Sequence, residues 1–186
     1  MITSTEFPFT DPKIWIGLGS NLGHSLTHLS EARCELSKDL EILGISSLYS
    51  SAPIDCPEPQ NDYLNAVICA TSYLKPLELL KLLLNIEQKH GRQRLGYHDA
   101  RTLDLDILLY GNQQWADTTL TLPHPALYQR AFVLAPMNEI APTLLLPNDD
   151  TVAHALSKVA DQQISLFENS MWQPLFFKSN ANHLSI

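Results

Sequence analysis

Apolar positions along this chain recur with a period of two in some stretches and of three to four in others, and the changes of period divide it into elements. Between Lys13 and Gly19, Ile14, Ile16 and Leu18 alternate with Trp15 and Gly17, which predicts a strand running into a Gly-Ser-Asn-Leu-Gly turn at 19–23. Leu22, Leu26, Leu29, Ala32, Leu36 and Leu40 then recur at helical steps, with the turn residues placed to cap the helix start. β-Branched and aromatic residues predict strands over 42–51 and 65–73. Between them, Ala52 to Asp62 is rich in Pro, Asp, Glu, Gln and Asn and long for a hairpin, the form of a functional lid or of a merely flexible loop. Pro76 marks a helix start, Leu77 to His90 has helical composition, and Gly91 is placed to cap its end.

The stretch Arg101-Thr-Leu-Asp-Leu-Asp-Ile-Leu-Leu-Tyr-Gly111 follows. As a strand it sends Leu103, Leu105, Ile107 and Leu109 into the core and brings Asp104 and Asp106 out together on the other face. On a helix the two carboxylates would diverge by about 200°. Aspartate is depleted in strands, and like charges one pleat apart repel unless a positive group sits between them. Mg²⁺ suits such a pair, because it takes one or two carboxylates and completes its shell with water and phosphate oxygens. The alternative is the solvent face of an ordinary amphipathic strand.

Beyond Gly111 come Leu122-Pro-His-Pro125, a helix from about Ala131 to Ile140 and another from about Val152 to Ala160, while 167–186 shows no period. The order strand, helix, strand, strand, helix, strand is that of an α+β fold of the ferredoxin-like split βαβ type. It predicts helices on one face of the sheet and an open face, carrying Asp104 and Asp106, for loops and ligand.

Composition narrows the classes. A chain of 186 residues with 45% hydrophobic content forms one domain over 1–186, and a net charge of −8 argues against nucleic acid as a partner. Cys34, Cys56 and Cys69 are odd in number and have no C-x-x-C spacing, so neither a disulfide framework nor a zinc site is suggested, and a reducing cytoplasm fits. Met1 to Pro12 lacks a signal-peptide pattern, and Leu77 to Ile86 is too short and too interrupted to span a membrane. Against the acidic background, Arg92, Arg94 and Arg101 lie within ten positions, and Arg130 follows. Arginine forks match phosphate oxygens, so carboxylates for Mg²⁺ ringed by arginines describe a polyphosphate site. A simple ion pair from Arg101 to Asp104 or Asp106 is the plainer reading. His124, between two prolines that fix its backbone, is taken alone more readily a structural histidine than a functional one.

Five motifs occur in order from about residue 13 to residue 160: Gly17-Leu-Gly-Ser-Asn-Leu22, Asp62-Tyr-Leu-Asn-Ala66, Gly91-Arg-Gln-Arg94, Arg101 to Gly111, and Leu122-Pro-His124 through Arg130-Ala-Phe-Val133 to Met137-Asn-Glu-Ile-Ala-Pro142. Together they closely resemble the 6-hydroxymethyl-7,8-dihydropterin pyrophosphokinases of folate biosynthesis. The resemblance implies pyrophosphate transfer from MgATP to the pterin hydroxymethyl group with release of AMP. It implies that Asp104 and Asp106 hold two Mg²⁺ ions and that Arg92, Arg94 and Arg101 clamp phosphates. His124 and Arg130 would also contact the nucleotide, with Leu80, Ile107 and Thr121 near adenosine. Tyr63 and Phe132 would stack on the pterin, Asn65 would read its edge, and Ser51, Pro53 and Ile54 would line the rest of that pocket. One departure stands out: many members have Arg-Trp-Gly-Pro where this chain has Tyr97-His-Asp-Ala100, so the tryptophan that seals their loop is missing. The competing readings are a nucleotidyl or glycosyl transferase and a non-catalytic pterin- or nucleotide-binding protein. Small-molecule substrates, no nucleic acid, no membrane and an oligomeric state left open, with a monomer favoured, complete the expectation.

Overall fold

The computed structural model describes residues 12–54, 56, 59–92 and 99–176. In chain order its first half runs β1 (Lys13–Ser20), α1 (Ser25–Leu36), β2 (Glu41–Ile45), β3 (Leu48–Ser51), β4 (Tyr63–Thr71) and α2 (Pro76–Lys89). The second half runs β5 (Asp104–Tyr110), a small hairpin of β6 (Trp115–Ala116) and β7 (Thr121–Leu122), α3 (Ala131–Ile140), α4 (Val152–Ser157) and β8 (Ile164–Phe167). The main sheet is antiparallel in the order β5-β1-β4-β3-β8, and β2 pairs with β4 alongside β3. No helix among the described residues is long and apolar enough to cross a membrane.

The run predicted as one strand over 42–51 is two, because Ser46 and Ser47 turn their polar groups to different partners. Ser46 keeps contact with β4 through Val67, whose N–H donates to its Oγ at 2.9 Å. Ser47 donates its N–H and hydroxyl to Glu139 of α3 at 2.8 and 2.7 Å.

Alternation along the strands builds two apolar layers. On one face Ile14, Ile16, Leu18, Ile68, Leu105 and Ile107 pack against Leu29, Ala32 and Leu36 of α1 and Leu79, Leu83 and Ile86 of α2. Each fully buried Leu or Ile there contributes roughly 1.5–3 kcal/mol. The other face is not left to loops alone, as the pattern suggested: Trp15, Val67, Cys69, Leu108 and Leu109 are covered by α3 and α4 through Val133, Leu134, Met137, Val152 and Ala155. Those helices, themselves apolar on the facing side, close the Trp15 end of that face. The opposite end remains open, where Gly17 and Gly19 of β1 sit between Val67 and Asn65 of β4 and Asp106 and Asp104 of β5.

Leu109 departs from its predicted place. The pairing steps from Ile16↔Ile107 to Trp15↔Leu109, a β-bulge that sends Leu108 and Leu109 to the layer under α3 and α4 and returns Tyr110 to the layer under α1 and α2. The bulge also divides β5 into a half that serves the open face and a half that anchors it.

Helix α2 starts and stops as its sequence directs. Pro76 opens it, Glu78 accepts from the Lys75 N–H at 2.8 Å, and Gly91 follows the last turn at φ +74°. The Gly91 N–H reaches Gln88 O at 3.0 Å and the Arg92 N–H reaches Glu87 O at 3.1 Å, a Schellman closure that reverses the chain after His90. Helix α1 differs from expectation: its first residue is preceded by His24, with no side-chain cap, and the Ser20–Asn21 turn has other partners, described below.

The segment from Phe167 to Leu175, without a period in sequence, closes the sheet. Strand β8 pairs with β3, Leu175 bridges Ile45, and Trp172 is 4% exposed with its indole N–H on Ser46 O at 2.8 Å. Trp172→Ala is expected to lower stability by about 3–5 kcal/mol, read as a lower urea midpoint at unchanged slope; an unchanged midpoint would mean that the indole is not packed in the sheet's end.

Candidate active site

The open end of the second sheet face forms the floor of a cleft of about 490 Å³, walled by the Ser51–Cys56 loop, Arg92, Arg101 and the Ala126–Val133 segment. That size suits a small-molecule ligand. Gly17 and Gly19 make the floor bare: a Cβ at Gly19 would stand 3.5 Å from Asn65 Oδ1 and 3.8 Å from Tyr63, in the space above the sheet.

At one side lie the charges. Asp104 receives Arg92 Nη1 on Oδ1 and Arg101 Nη1 on Oδ2, each at 2.6 Å. Arg92 also pairs with Glu87, a buried carboxylate of α2 that accepts the Leu105 N–H of β5 at 2.8 Å. Arg92 reaches this place because the Schellman turn folds it back over Glu87. Arg101 is fixed through its backbone: its N–H donates to Asn21 Oδ1 at 2.7 Å, its carbonyl receives the N–H groups of Asn21 and Leu22, and Ser20 Oγ donates to Thr102 O at 2.6 Å. The amide of Asn21 further donates to Gln60 Oε1 and Asn61 O, at 3.0 and 3.2 Å, so one buried asparagine ties β1 to both walls.

Asp106, one pleat along, opens into the cleft and is enclosed by its walls. Burial and the neighbouring Asp104 push its carboxyl up to about 6, against the pull of Arg130, Arg92 and Arg101. Asp106 Oδ2 lies 3.9 Å from His124 Nε2. The Ala126 N–H donates to His124 Nδ1 at 3.2 Å, which assigns that nitrogen the lone pair and turns an Nε2–H toward the cleft. Burial and Arg130 hold His124 below its usual range, so it is a neutral donor at neutral pH. Two hard carboxylates side by side, crowded enough to raise Asp106, are a donor set that fits Mg²⁺.

The other side is flat and aromatic. Tyr63 and Phe132 line it, with the Arg130 guanidinium 5.4 Å from the Phe132 ring centre. Asn65, 4% exposed, directs Nδ2 to Ser51 Oγ at 3.0 Å and to the carbonyls of Tyr49 and Tyr63, which turns Oδ1 over Gly19. Arg130 and Phe132 flank the start of α3, whose first N–H, from Ala131, donates to Gln162 Oε1 at 2.9 Å.

Of the residues singled out in the sequence, Arg92, Arg101, Asp104, Asp106, His124, Arg130, Ser51, Ile54, Tyr63, Asn65 and Phe132 line the cleft. Pro53 is not among the lining residues but sits between Ala52 and Ile54, which are. Arg94 lies outside the described residues, as do Tyr97 and His98. Leu80 packs beside the core under α1 and α2, the Ile107 side chain is 3% exposed within it, and Thr121 is exposed on β7, so none of the three side chains lines the cleft. The sequence reading missed Glu87, Asn21 and Gln162. Glu87 left a trace, since it sits four residues beyond Leu83 on the apolar stripe of α2, where a carboxylate requires a buried partner.

A family model described as 7,8-dihydro-6-hydroxymethylpterin-pyrophosphokinase (HPPK) matches residues 15–142. The chain is 41% identical over 152 residues to a 2-amino-4-hydroxy-6-hydroxymethyldihydropteridine pyrophosphokinase of Haemophilus influenzae, covering 81% of this chain and 94% of that one. It is 42% identical over 148 residues to the protein of the same name from Synechocystis, covering 78% and 75%. Among solved structures, an HPPK-DHPS in complex with substrates superposes with a TM-score of 0.65 at 12% identity, over 81% of this chain and 44% of that one. A Plasmodium falciparum HPPK-DHPS variant gives 0.65 at 14% identity, over 82% and 46%. The chain thus spans less than half of those structures, and at such identity the likeness concerns the fold.

Burial pushes the Glu87 carboxyl up to about 7 from an ordinary 4.5, even though Leu105 and Arg92 pull it down. An acid held more tightly protonated in the folded state contributes fully below its unfolded value and loses that contribution as pH rises through the folded one. Stability is therefore expected to fall between about pH 4.5 and 7 by up to about 3 kcal/mol on this account. Glu87→Gln, which keeps an acceptor for Leu105, should flatten that interval in urea titrations run across pH; an unaltered slope would mean that the carboxylate is already fully compensated.

Proposed function

The chain belongs to the 7,8-dihydro-6-hydroxymethylpterin-pyrophosphokinase family, and we propose that its cleft is where pyrophosphate passes from ATP to the hydroxymethyl group of 6-hydroxymethyl-7,8-dihydropterin, with release of AMP, in folate biosynthesis. The observation that carries this reading is the division of one cleft into an aromatic, amide-bearing side and a side of paired carboxylates and guanidinium groups. A flat heterocycle and a polyphosphate are the two things such a lining separates.

On the pterin side, Tyr63 and Phe132 offer ring faces for stacking, and Asn65 Oδ1, released by the anchoring of Nδ2, accepts from a ring N–H. Ser51 fixes that amide, and Ile54, next to Pro53, closes the loop side. On the phosphate side, Arg92 and Arg101 present rigid forks beside the carboxylates, His124 adds a neutral N–H and Arg130 a further charge. Arg94 belongs with them by motif. Asp104 and Asp106 are the residues that would hold Mg²⁺, two ions in our reading, and the cation supplies charge neutralisation on the phosphates. The chain's own part is to align the hydroxymethyl oxygen with the β-phosphorus, keep guanidinium groups on the moving phosphates and exclude water. Any nucleotide contact at Ile107 runs through its backbone, since its side chain is committed to the core. We assign Leu80 and Thr121 to the surroundings of adenosine by motif alone.

The unit β1-α1-β2/β3-β4-α2-β5 is, in our reading, a ferredoxin-like split βαβ, supported by the antiparallel neighbours β5-β1-β4-β3. A nucleotidyl transferase or a non-catalytic binding protein fits less well, because the carboxylate pair, the arginines Arg92 and Arg101 and the stacking residues occupy one cleft.

Incubation with ATP, Mg²⁺ and the pterin is expected to give AMP and the pyrophosphorylated pterin one for one, resolved by phosphorus NMR; stoichiometric ADP would overturn the reading. Asp104→Ala and Asp106→Ala should each lower turnover by about 10²–10³-fold or more, with circular dichroism unchanged; near wild-type turnover would remove the carboxylate pair from the mechanism. Asn65→Ala should weaken pterin binding by roughly 1–3 kcal/mol and leave ATP binding unchanged in calorimetry, and an equal loss for both ligands would place Asn65 in the wrong subsite.

A further inference from the structure

On the α1/α2 side of the sheet, away from the carboxylate pair, His28, Glu31 and His90 bring one ligand atom each within 4.8 Å of one another. Glu31 follows His28 by three positions on α1, so both project from one side of that helix. His90 is the residue that ends α2, set there by the Schellman turn, and its side chain is only 6% exposed. The two Nδ1 atoms face each other at 3.0 Å with the rings at 75°. Two nitrogens bound to one tetrahedral Zn²⁺ at its usual bond length stand about 3.3 Å apart, close to the separation observed.

The surroundings of His90 add an independent sign. Its other nitrogen, Nε2, lies 3.3 Å from Glu35 Oε1, and Glu35 is held in turn by Lys89 Nζ at 2.6 Å. A carboxylate taking the Nε2–H leaves the Nδ1 lone pair directed at His28, which is how metal-bound histidines are oriented. Glu31, with Oε2 at 3.8 Å from His90 Nδ1 and its side chain 62% exposed, is free to swing onto an ion. Two imidazoles and a carboxylate suit a borderline transition-metal dication and not Mg²⁺, whose preference is for oxygen.

We infer that His28, Glu31 and His90 form a site for a divalent transition-metal ion of the Zn²⁺ type, which clamps α1 to the end of α2. The fourth position is left to water. The site is separate from the Mg²⁺ carboxylates, and its part is to hold the two helices together.

The test uses the full chain, freed of metal by chelator and kept in saturating Mg²⁺ so that the cleft carboxylates are occupied. Co²⁺ titration of the wild type is expected to saturate at one ion with the visible absorption of a four-coordinate site, and Zn²⁺ to displace it and raise the melting temperature. His28→Gln should abolish the absorption and the melting shift while leaving MgATP-dependent turnover unchanged. Exposed Glu31→Gln should weaken Co²⁺ binding at least tenfold without disturbing packing, and Glu35→Gln should weaken it by about 10–100-fold. Absence of Co²⁺ absorption in the wild type would overturn the inference and leave an ordinary His28–His90 hydrogen bond. Equal binding by wild type and His28→Gln would overturn it as well, by locating the ion elsewhere. Neither result bears on the pyrophosphokinase reading, which rests on the cleft alone.

Discussion

Two aspartates facing the same way from one edge strand repel each other, and much of the molecule near the cleft is arranged around that repulsion. Asp104 is neutralised by two guanidinium groups, while burial and then the neighbouring Asp104 leave Asp106 a carboxyl that ionises late. Each guanidinium must be brought from a different part of the chain. Arg92 comes from the end of α2, and Arg101 from the segment pinned to β1 by Ser20 and Asn21. Helix α2, the Ser20–Asn21 turn and β5 are therefore positioned with respect to a charge problem as well as to a hydrophobic core.

Glu87 shows how the two demands meet. It belongs to the buried stripe of α2 yet carries a carboxylate, which shares Arg92 with Asp104 and takes a backbone N–H of β5. Its tie to Arg92 limits how far that arginine can travel toward a ligand. The same helix thus packs the sheet with Leu79, Leu83 and Ile86 and restrains a cleft-lining guanidinium with its next residue.

What was legible in the sequence is what is local. The alternation from Leu103 to Ile107 placed both aspartates on one face, and Pro76 and Gly91 bounded α2, because backbone period and terminal chemistry depend on neighbours within a few positions. The motif residues that meet in the cleft were legible through family resemblance, and Asp104, Asp106 and the arginines also through their chemistry. The rest depended on partners distant in the chain. Leu109 turned because Leu108 is an extra residue in the pairing with β1, and no period reveals a bulge in advance. Asn21 looked like a helix cap and instead holds Arg101, eighty positions away. Trp172 lies in a segment without rhythm, and its value comes from Ser46, with which it shares no local pattern.

Strand β5 is the last strand on its side of the sheet, so it exposes a row of backbone groups that could template pairing with another chain. Two of those groups are already occupied by the site itself: the Leu105 N–H is taken by Glu87, and the Leu108 carbonyl receives the His124 N–H at 2.9 Å. A carboxylate and a proline-flanked loop are poor continuations of a ladder, so they blunt the edge where a third strand would dock. The strand that carries Asp104 and Asp106 is in this way protected against edge-to-edge aggregation by the residues that line the cleft, so the same side chains shape the site and guard the edge.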